Sequence, residues 1–464
     1  MIESSLFPFY FRRFDKEVLM TNIAGDYLFV PDAVFSQLVD NKLIDEEFIA
    51  KLKSRFFICD PANMASALSW LKVKYQTKRS YLFNDSLLLM VVPTLSCNCN
   101  CVYCQASSKD EQDEDFTMTL RTALRFCDFV MELPHCSIKI EFQGGEPTLA
   151  FEVVELIVKR IKFLNRKKTK EISFVICTNL LEVSPHQISI LRKYEIAVST
   201  SLDGNEVQHN RNRPSRCRSS TYSATIKNVE ILRKNGIYPS ALVTITAQNL
   251  SFMKEIIDTY INNGFTGIFI RPLNNYGYAF NNKCIYYSHE AFITEYRNAI
   301  DYIIGKNLVG VSIQEEYFNI LLRKILSPFN DGFVDMQNPC ALGTMCMIVD
   351  QRGDVYPSDE SRMISEMDDH TWRMGNIYDN SVHDEITQKK REILRDGILE
   401  TYPPCAFCAY IPYCSADPIR LYYTKHYTLE SYCGMKKAFF DTVFSYIKSA
   451  DERTASCLRK WAND

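Results

Sequence analysis

The chain has 464 residues, 46% of them apolar, and its 53 basic and 56 acidic side chains give a formal charge of −3. That length allows two or three domains with a sizeable core. The balanced charge argues against a general nucleic-acid binder, and no apolar run is long enough to mark a membrane span. The opening MIESSLFPFYFRRFDKE carries too much charge for a secretory signal, so the expected location is the cytosol. Seventeen cysteines are many for that compartment. Disulfides are disfavoured there, and clustered cysteines bind metal or do redox chemistry.

Residues 1–82 read as a small separate α+β unit. Two short apolar segments, 17–21 and 26–30, flank a turn at Gly25 and predict a hairpin. Helical stretches follow at about 32–40, 45–54 and 61–77, and no catalytic constellation lies among them. From 83 to 305 the pattern alternates. The strand-like runs SLLLMVV, SIKIEF, ISFVIC, EIAVS, ALVTIT and GIFIRP are separated by helix-period stretches such as 118–132, 151–165, 220–235 and 251–263. Six βα repeats predict a parallel sheet with helices outside, a partial (β/α)6 barrel whose working groups gather at the strand C-termini. The charged run KDEQDED at 109–115 reads as a solvated loop. Residues 306–339 bridge to a turn-rich, cysteine-rich segment, 340–449, which needs a metal to hold it. A helix at about 430–449 is expected to end the ordered part, with 450–464 as a tail.

The chemistry-bearing residues fall in three groups. PTLSCNCNCVYCQAS places Cys97, Cys101 and Cys104 in C-x3-C-x2-C spacing directly after the first strand. Three thiolates hold three irons of a [4Fe–4S] cube and leave the fourth free for a ligand. A zinc site that includes Cys99 is the alternative. Next come Gly144-Gly145-Glu146-Pro147 after the second strand, Thr178-Asn179 after the third, and Ser201-Leu202-Asp203-Gly204 after the fourth, with HNRNRP and Arg213 following. Glycines permit close backbone approach, a Glu can accept from an ammonium, and an Arg fork suits a carboxylate. Last, Cys405, Cys408 and Cys414 stand as C-x2-C-x5-C with Cys433 beyond, and Cys340 and Cys346 lie upstream. The scattered cysteines 59, 127, 136, 177, 217, 284 and 457 read mostly as small buried hydrophobes.

C-x3-C-x2-C with Tyr103 before the last cysteine resembles radical S-adenosylmethionine (SAM) enzymes, and GGEP, SLDG and HNRNRP follow in that family's order, with Asn210 where Asp is usual. The resemblance implies a SAM-binding [4Fe–4S] cluster at Cys97, Cys101 and Cys104. It implies reductive cleavage of SAM to a 5′-deoxyadenosyl radical. It assigns the SAM amino group to the Gly144–Pro147 motif and the SAM carboxylate to Ser201 and Arg213. The C-terminal cysteines resemble the SPASM domain of peptide-modifying members, in which Cys405, Cys408, Cys414 and Cys433 would hold an auxiliary [4Fe–4S] cluster. For a first auxiliary cluster, Cys340 and Cys346 match two ligands, but Ser358 and Pro418 stand where two cysteines belong. That cluster is absent or uses other ligands, such as Asp359 or a remote cysteine. In sulfatase-maturing relatives an Asp at the place of Asp359 is the base; the bland alternative is a turn residue. Residues 1–82 resemble leader-peptide recognition units that add a strand to a sheet edge. FRRFDKEVLMTNIAGDYLFV also resembles the maturase of the His-Xaa-Ser peptide system.

These likenesses imply a maturase of a ribosomally made precursor peptide with a leader. It would form an oxidative crosslink, carbon–carbon or ether, and be served by a flavodoxin- or ferredoxin-type electron donor. A formylglycine maturase of the sulfatase type is one alternative, and a non-enzymatic metal-binding scaffold is another.

Overall fold

The computed structural model describes residues 5–42, 45–110, 116–215, 219–274, 276–423 and 429–463. Most of the acidic run expected as a loop, from residue 111 on, lies outside these, as does Cys217. The N-terminal unit opens with β1 (Ser5–Leu6), which pairs antiparallel with β5 (Ile58–Cys59). Between them β2 (Tyr10–Phe14), β3 (Glu17–Thr21) and β4 (Tyr27–Pro31) form an antiparallel sheet in that order, so the expected hairpin gains a third strand. Helices Asp32–Val39, Glu46–Ser54 and Met64–Lys78 complete the unit.

The unit does not stand apart. Arg12 reaches both oxygens of Asp441 at 2.5 Å, and the Thr21 hydroxyl donates to the Ala409 carbonyl at 2.7 Å. The Lys78 ammonium donates to the carbonyl of Lys324 at 2.7 Å. A unit so tied rests on the C-terminal part of the chain.

The central sheet has nine strands, in the order β12-β11-β10-β9-β8-β7-β6-β13-β14. The six expected strands are β6 (Ser86–Thr94), β7 (Ser137–Gly144), β8 (Glu171–Cys177), β9 (Ala197–Ser201), β10 (Ser240–Thr244) and β11 (Gly267–Arg271), all parallel to their neighbours. Two extensions lie beyond the expectation. One is β12 (Gln314–Glu315), parallel to β11 and too short to show a period in sequence. The other is β13 (Cys346–Val349), parallel to β6, with β14 (Val355–Tyr356) turning back against it. The cysteine-rich segment therefore supplies strands to the barrel sheet.

Strand β7 shows how the sequence sorts its faces. Ile138, Ile140 and Phe142 enter the main core with helix Leu120–Glu132, while Lys139, Glu141 and Gln143 face the barrel interior. That helix starts at the Thr119 cap, whose hydroxyl accepts from the Thr122 amide. It buries Phe126, Phe129 and Val130, each worth roughly 1.5–3 kcal/mol. The C-terminal residues correct the expectation of a tail. Glu452–Asn463 is a helix, and its Trp461, 1% exposed, packs edge-on against Phe318. Leu458 and Trp461 share one face of this helix and bury beside Glu316–Leu326 in the main core.

Candidate active site

The loop after β6 carries Cys97, Cys99, Cys101 and Cys104, packed with Tyr103, Leu181, Ala279 and Ile285. Its backbone is held from behind by the HNRNRP segment. Asn100 N–H donates to the Pro214 carbonyl at 2.7 Å, and Val102 N–H to that of Asn212 at 3.0 Å. Cys97, Cys101 and Cys104 all line one cavity of about 980 Å³, and Cys99 does not. The Cys99 thiol instead hydrogen-bonds to its neighbours, and that bond pulls the Cys101 thiol down to about 7. Burial pushes the Cys104 thiol up. Among the described residues no group of three or more His, Cys, Asp or Glu is arranged to hold one metal ion. A cubane spreads its thiolates over separate irons, so three sulfurs around a cavity suit it better than they suit zinc.

Gly144 and Gly145 serve the protein's own backbone first. Gly144 has φ +121°, and a Cβ there would meet the Thr94 carbonyl oxygen at 2.5 Å. A Cβ on Gly145 would overlap the carbonyl oxygens of Leu95 and Ser96. In turn Gly145 N–H donates to Thr94 O at 2.9 Å and Glu146 N–H to Ser96 O at 2.8 Å. The glycine pair therefore sets the cysteine loop against the end of β7. Glu146 is 1% exposed and acts as a clamp. Its carboxylate accepts from the hydroxyls of Thr148 and Thr178 and from the amide of Asn179, each at 2.7 Å. Burial raises its pKa, and these bonds work the other way. Pro147 opens the buried turn that follows. The Asn179 side-chain Nδ2 donates to Asn98 Oδ1 at 2.7 Å and approaches the Cys97 sulfur at 3.9 Å, tying β8 to the loop.

Tyr103, Asp203 and Arg213 form a second buried set. The Tyr103 hydroxyl donates to Asp203 at 2.5 Å and accepts from Arg213 at 2.7 Å. Asp203 also accepts from Thr244 N–H at 3.2 Å, while Ser201 and Arg213 both line the cavity. Beneath them His209 Nδ1 accepts from the Asp203 amide at 3.2 Å. Burial, helped by the Arg213 charge, pulls this imidazole down to about 3 from 6.5.

A folded-state pKa below the unfolded one makes the folded protein refuse a proton. Above about pH 6.5 both states are neutral and His209 adds no slope; below it stability falls by about 1.4 kcal/mol per pH unit, down to about pH 3. Urea unfolding at stepped pH is expected to show this slope, and His209→Gln to flatten it. An unchanged slope in that variant would refute the assignment.

The cavity wall also carries Lys139, Glu141, Gln143, Cys177, Ser199, Phe269, Arg271 and Met363, none of them singled out from sequence. Cys177 corrects the reading of a core hydrophobe: it ends β8 on the cavity wall, 3.5 Å from Glu141. The signal was present in SIKIEFQG, where polar residues at every second position of a buried parallel strand mark an interior-facing row.

Cys405, Cys408, Cys414 and Cys433 line a second, largely apolar cavity of about 60 Å³, with Lys436 and Lys437 beside them. That volume exceeds what one water needs several times over. The four expected thiols are thus brought to the wall of one apolar hole.

Cys340 and Cys346 are buried and differently placed, beside carboxylates rather than thiols: Asp417 and Asp335 near the first, Glu360 and Asp335 near the second. Ser358 is consumed as the cap of helix Asp359–Ser365, accepting from Ser361 N–H at 3.3 Å. Pro418 starts a helix in which Arg420 pairs with Glu360 at 3.0 Å and Asp417 at 3.3 Å. The residues present do not fit a four-thiolate cluster there. Asp359 is not a turn residue but opens a helix, paired with Arg362 at 3.0 Å. Burial raises its pKa, and Arg362 opposes the rise. It is not part of the cavity wall, although Met363 on the same helix is.

Residues 91–260 match the profile of the Radical SAM superfamily. That matched stretch runs from within β6 through β10 of the parallel sheet and holds the cysteine loop after β6, and the fold is the α/β arrangement of that superfamily. Among solved structures it is similar to native anSMEcpe with bound AdoMet and Cp18Cys peptide, with TM-score 0.66 and 22% identity, covering 81% of this chain and 99% of that one. It is also similar to Streptococcus suis SuiB bound to S-adenosylmethionine, with TM-score 0.53 and 16% identity, covering 90% of this chain and 96% of that one. Curated relatives include an uncharacterized protein of Methanocaldococcus jannaschii, 30% identical over 180 residues, 39% of this chain. Another is from Methanothermobacter thermautotrophicus, 26% identical over 181 residues, 38% of this chain. The chain spans 60% and 64% of the lengths of these two relatives. No helix among the described residues is long and apolar enough to cross a membrane.

Proposed function

We propose that the chain is a radical SAM maturase of a ribosomally made precursor peptide. The observation that carries this reading is the shared cavity: Cys97, Cys101 and Cys104 open onto the same space as Gly144, Glu146, Asn179, Ser201 and Arg213. A cluster and SAM bound there would supply a carbon-centred radical able to take hydrogen from an unactivated C–H bond. The three cysteines hold the cluster. Gly144–Pro147 with Thr178 and Asn179 form the SAM amino-group wall, and Ser201 with Arg213 receives the carboxylate. Tyr103 and Asp203 keep Arg213 aimed at the cavity.

Cys405, Cys408, Cys414 and Cys433 hold one auxiliary cluster, and the Glu360–Arg420–Asp417 ion pairs occupy the region of a second. Asp359 lies off the cavity wall but on the helix that carries Met363 to it, and in this reading it takes the proton that an oxidised substrate radical must lose, with Arg362 opposing the rise that burial imposes on its pKa. The outcome in this reading is an oxidative crosslink, carbon–carbon or ether: one hydrogen atom would leave to the adenosyl radical, and the second would leave as a proton to Asp359 and an electron to the auxiliary cluster at Cys405, Cys408, Cys414 and Cys433. A leader adds a strand along β2, which is an edge of its sheet. A flavodoxin- or ferredoxin-type protein delivers electrons. The sulfatase-type alternative is weakened by Ser358 and Pro418, and a scaffold has no use for the cavity.

The test is anaerobic reconstitution with the precursor peptide. About eight irons per chain, 5′-deoxyadenosine, and a peptide lighter by two hydrogens are expected. Asp359→Asn is expected to spare SAM cleavage and slow peptide modification on the order of 100-fold. Zinc with no SAM cleavage would sink the reading.

A further inference from the structure

Arg271 ends β11 on the cavity wall. Its guanidinium lies 5.6 Å from the Phe269 ring centroid. Among the described residues it makes no side-chain hydrogen bond or ion pair. Two carboxylates, Asp359 and Glu360, feel its charge. Both are already engaged, Asp359 by Arg362 and Glu360 by Arg420, each at 3.0 Å. Glu141, on the same wall, accepts from Gln143 and the Cys177 thiol. Arg213 differs: its guanidinium is tied to the Tyr103 hydroxyl. Arg271 therefore offers a planar fork of five donors to whatever enters the cavity. Such a fork matches a carboxylate bidentately, and the pairing strengthens as water leaves.

The cofactor does not account for it. Ser201 and Arg213 belong to β9 and the segment after it, and β11 lies two strands further along the sheet. Two strand spacings are about 10 Å, so the two guanidiniums issue from separate places on the cavity wall.

We propose that Arg271 is a specificity residue that binds a carboxylate of the peptide substrate within reach of the reacting carbon. This rests on the peptide-maturase reading. The carboxylate comes from an Asp or Glu side chain or from the chain end, and the same experiment tells these apart.

Three synthetic hexapeptides serve as probes for the anaerobically reconstituted, SAM-loaded protein. One is capped at both ends with a central Glu, one is its Gln counterpart, and one carries Gln with a free C-terminal carboxylate. Affinities are read by NMR titration. At least one carboxylate-bearing peptide is expected to bind about tenfold tighter than the capped Gln peptide. A preference for the Glu peptide names a side chain, and a preference for the free-ended peptide names the terminus. Arg271→Gln is expected to erase the preference and Arg271→Lys to retain part of it, while SAM affinity and peptide-free SAM cleavage stay at the unmodified level. Equal binding of all three peptides overturns the proposal. So does an Arg271→Gln protein that loses SAM affinity, because Arg271 would then serve the cofactor. Failure of the unmodified protein to cleave SAM would instead strike the maturase reading itself.

Discussion

Replacing Cys101 by Ala is expected to remove about four irons per chain and to abolish reductive SAM cleavage. The reason is geometric. Cys97, Cys101 and Cys104 are the thiols of the β6 loop that face the cavity, and two thiolates cannot hold a cubane that already leaves one iron without a protein ligand. Cys99→Ala is the matched control. It sits in the same buried cluster of side chains but off the cavity wall, so iron content and 5′-deoxyadenosine yield should stay near those of the unmodified protein. Iron and sulfide analysis of the two variants decides the matter. Equal loss in both would mean that Cys99 is a ligand. Full retention in Cys101→Ala would overturn the cluster assignment.

Gly145→Ala is expected to be the most damaging single methyl group in the barrel. The added Cβ would overlap two backbone carbonyl oxygens, Leu95 O and Ser96 O, which cannot swing aside as a side-chain end can. Those carbonyls lie immediately before Cys97, so relief of the clash must shift the cysteine loop or break the hydrogen bonds that Gly145 N–H and Glu146 N–H donate. A cost above about 3 kcal/mol is expected in chemical denaturation, together with a loss of bound iron. Gly305→Ala is the contrast. It lies in helix His289–Leu308 with nothing within 4 Å of the new Cβ. It should be neutral or stabilise by up to about 1 kcal/mol. Comparable behaviour of the two variants would show that the glycine pair is not needed for backbone contact.

The parts legible in the sequence were those written in local spacing. The C-x3-C-x2-C run, the six apolar strands and the motif at each strand end are all readable within ten or so residues, and the structure brings Cys97, Gly144, Asn179, Ser201 and Arg213 to one cavity. The role of Glu146 was less readable. Its acceptors are taken by Thr148, Thr178 and Asn179, partners that only the juxtaposition of β7 and β8 reveals. Arg271 carried no motif, because its distinction lies in which neighbouring carboxylates are already paired. The final helix escaped notice because ERTASCLRKWAN is mostly polar. Leu458 and Trp461 find their core only after Glu316–Leu326 is in place.

The pairing of β13 with β6 also sets a clock on synthesis. Leu88 meets Cys346 in the register, a partner made more than 250 residues later. At about 5–20 residues per second, that edge of β6 stays open for on the order of 10–50 s after β6 leaves the ribosome. The side left open runs along Leu88–Val91, an uncharged apolar stretch that β7 covers only from its other edge. A chain truncated before residue 346 would keep that edge permanently and is expected to aggregate, as sedimentation of the truncated protein would show.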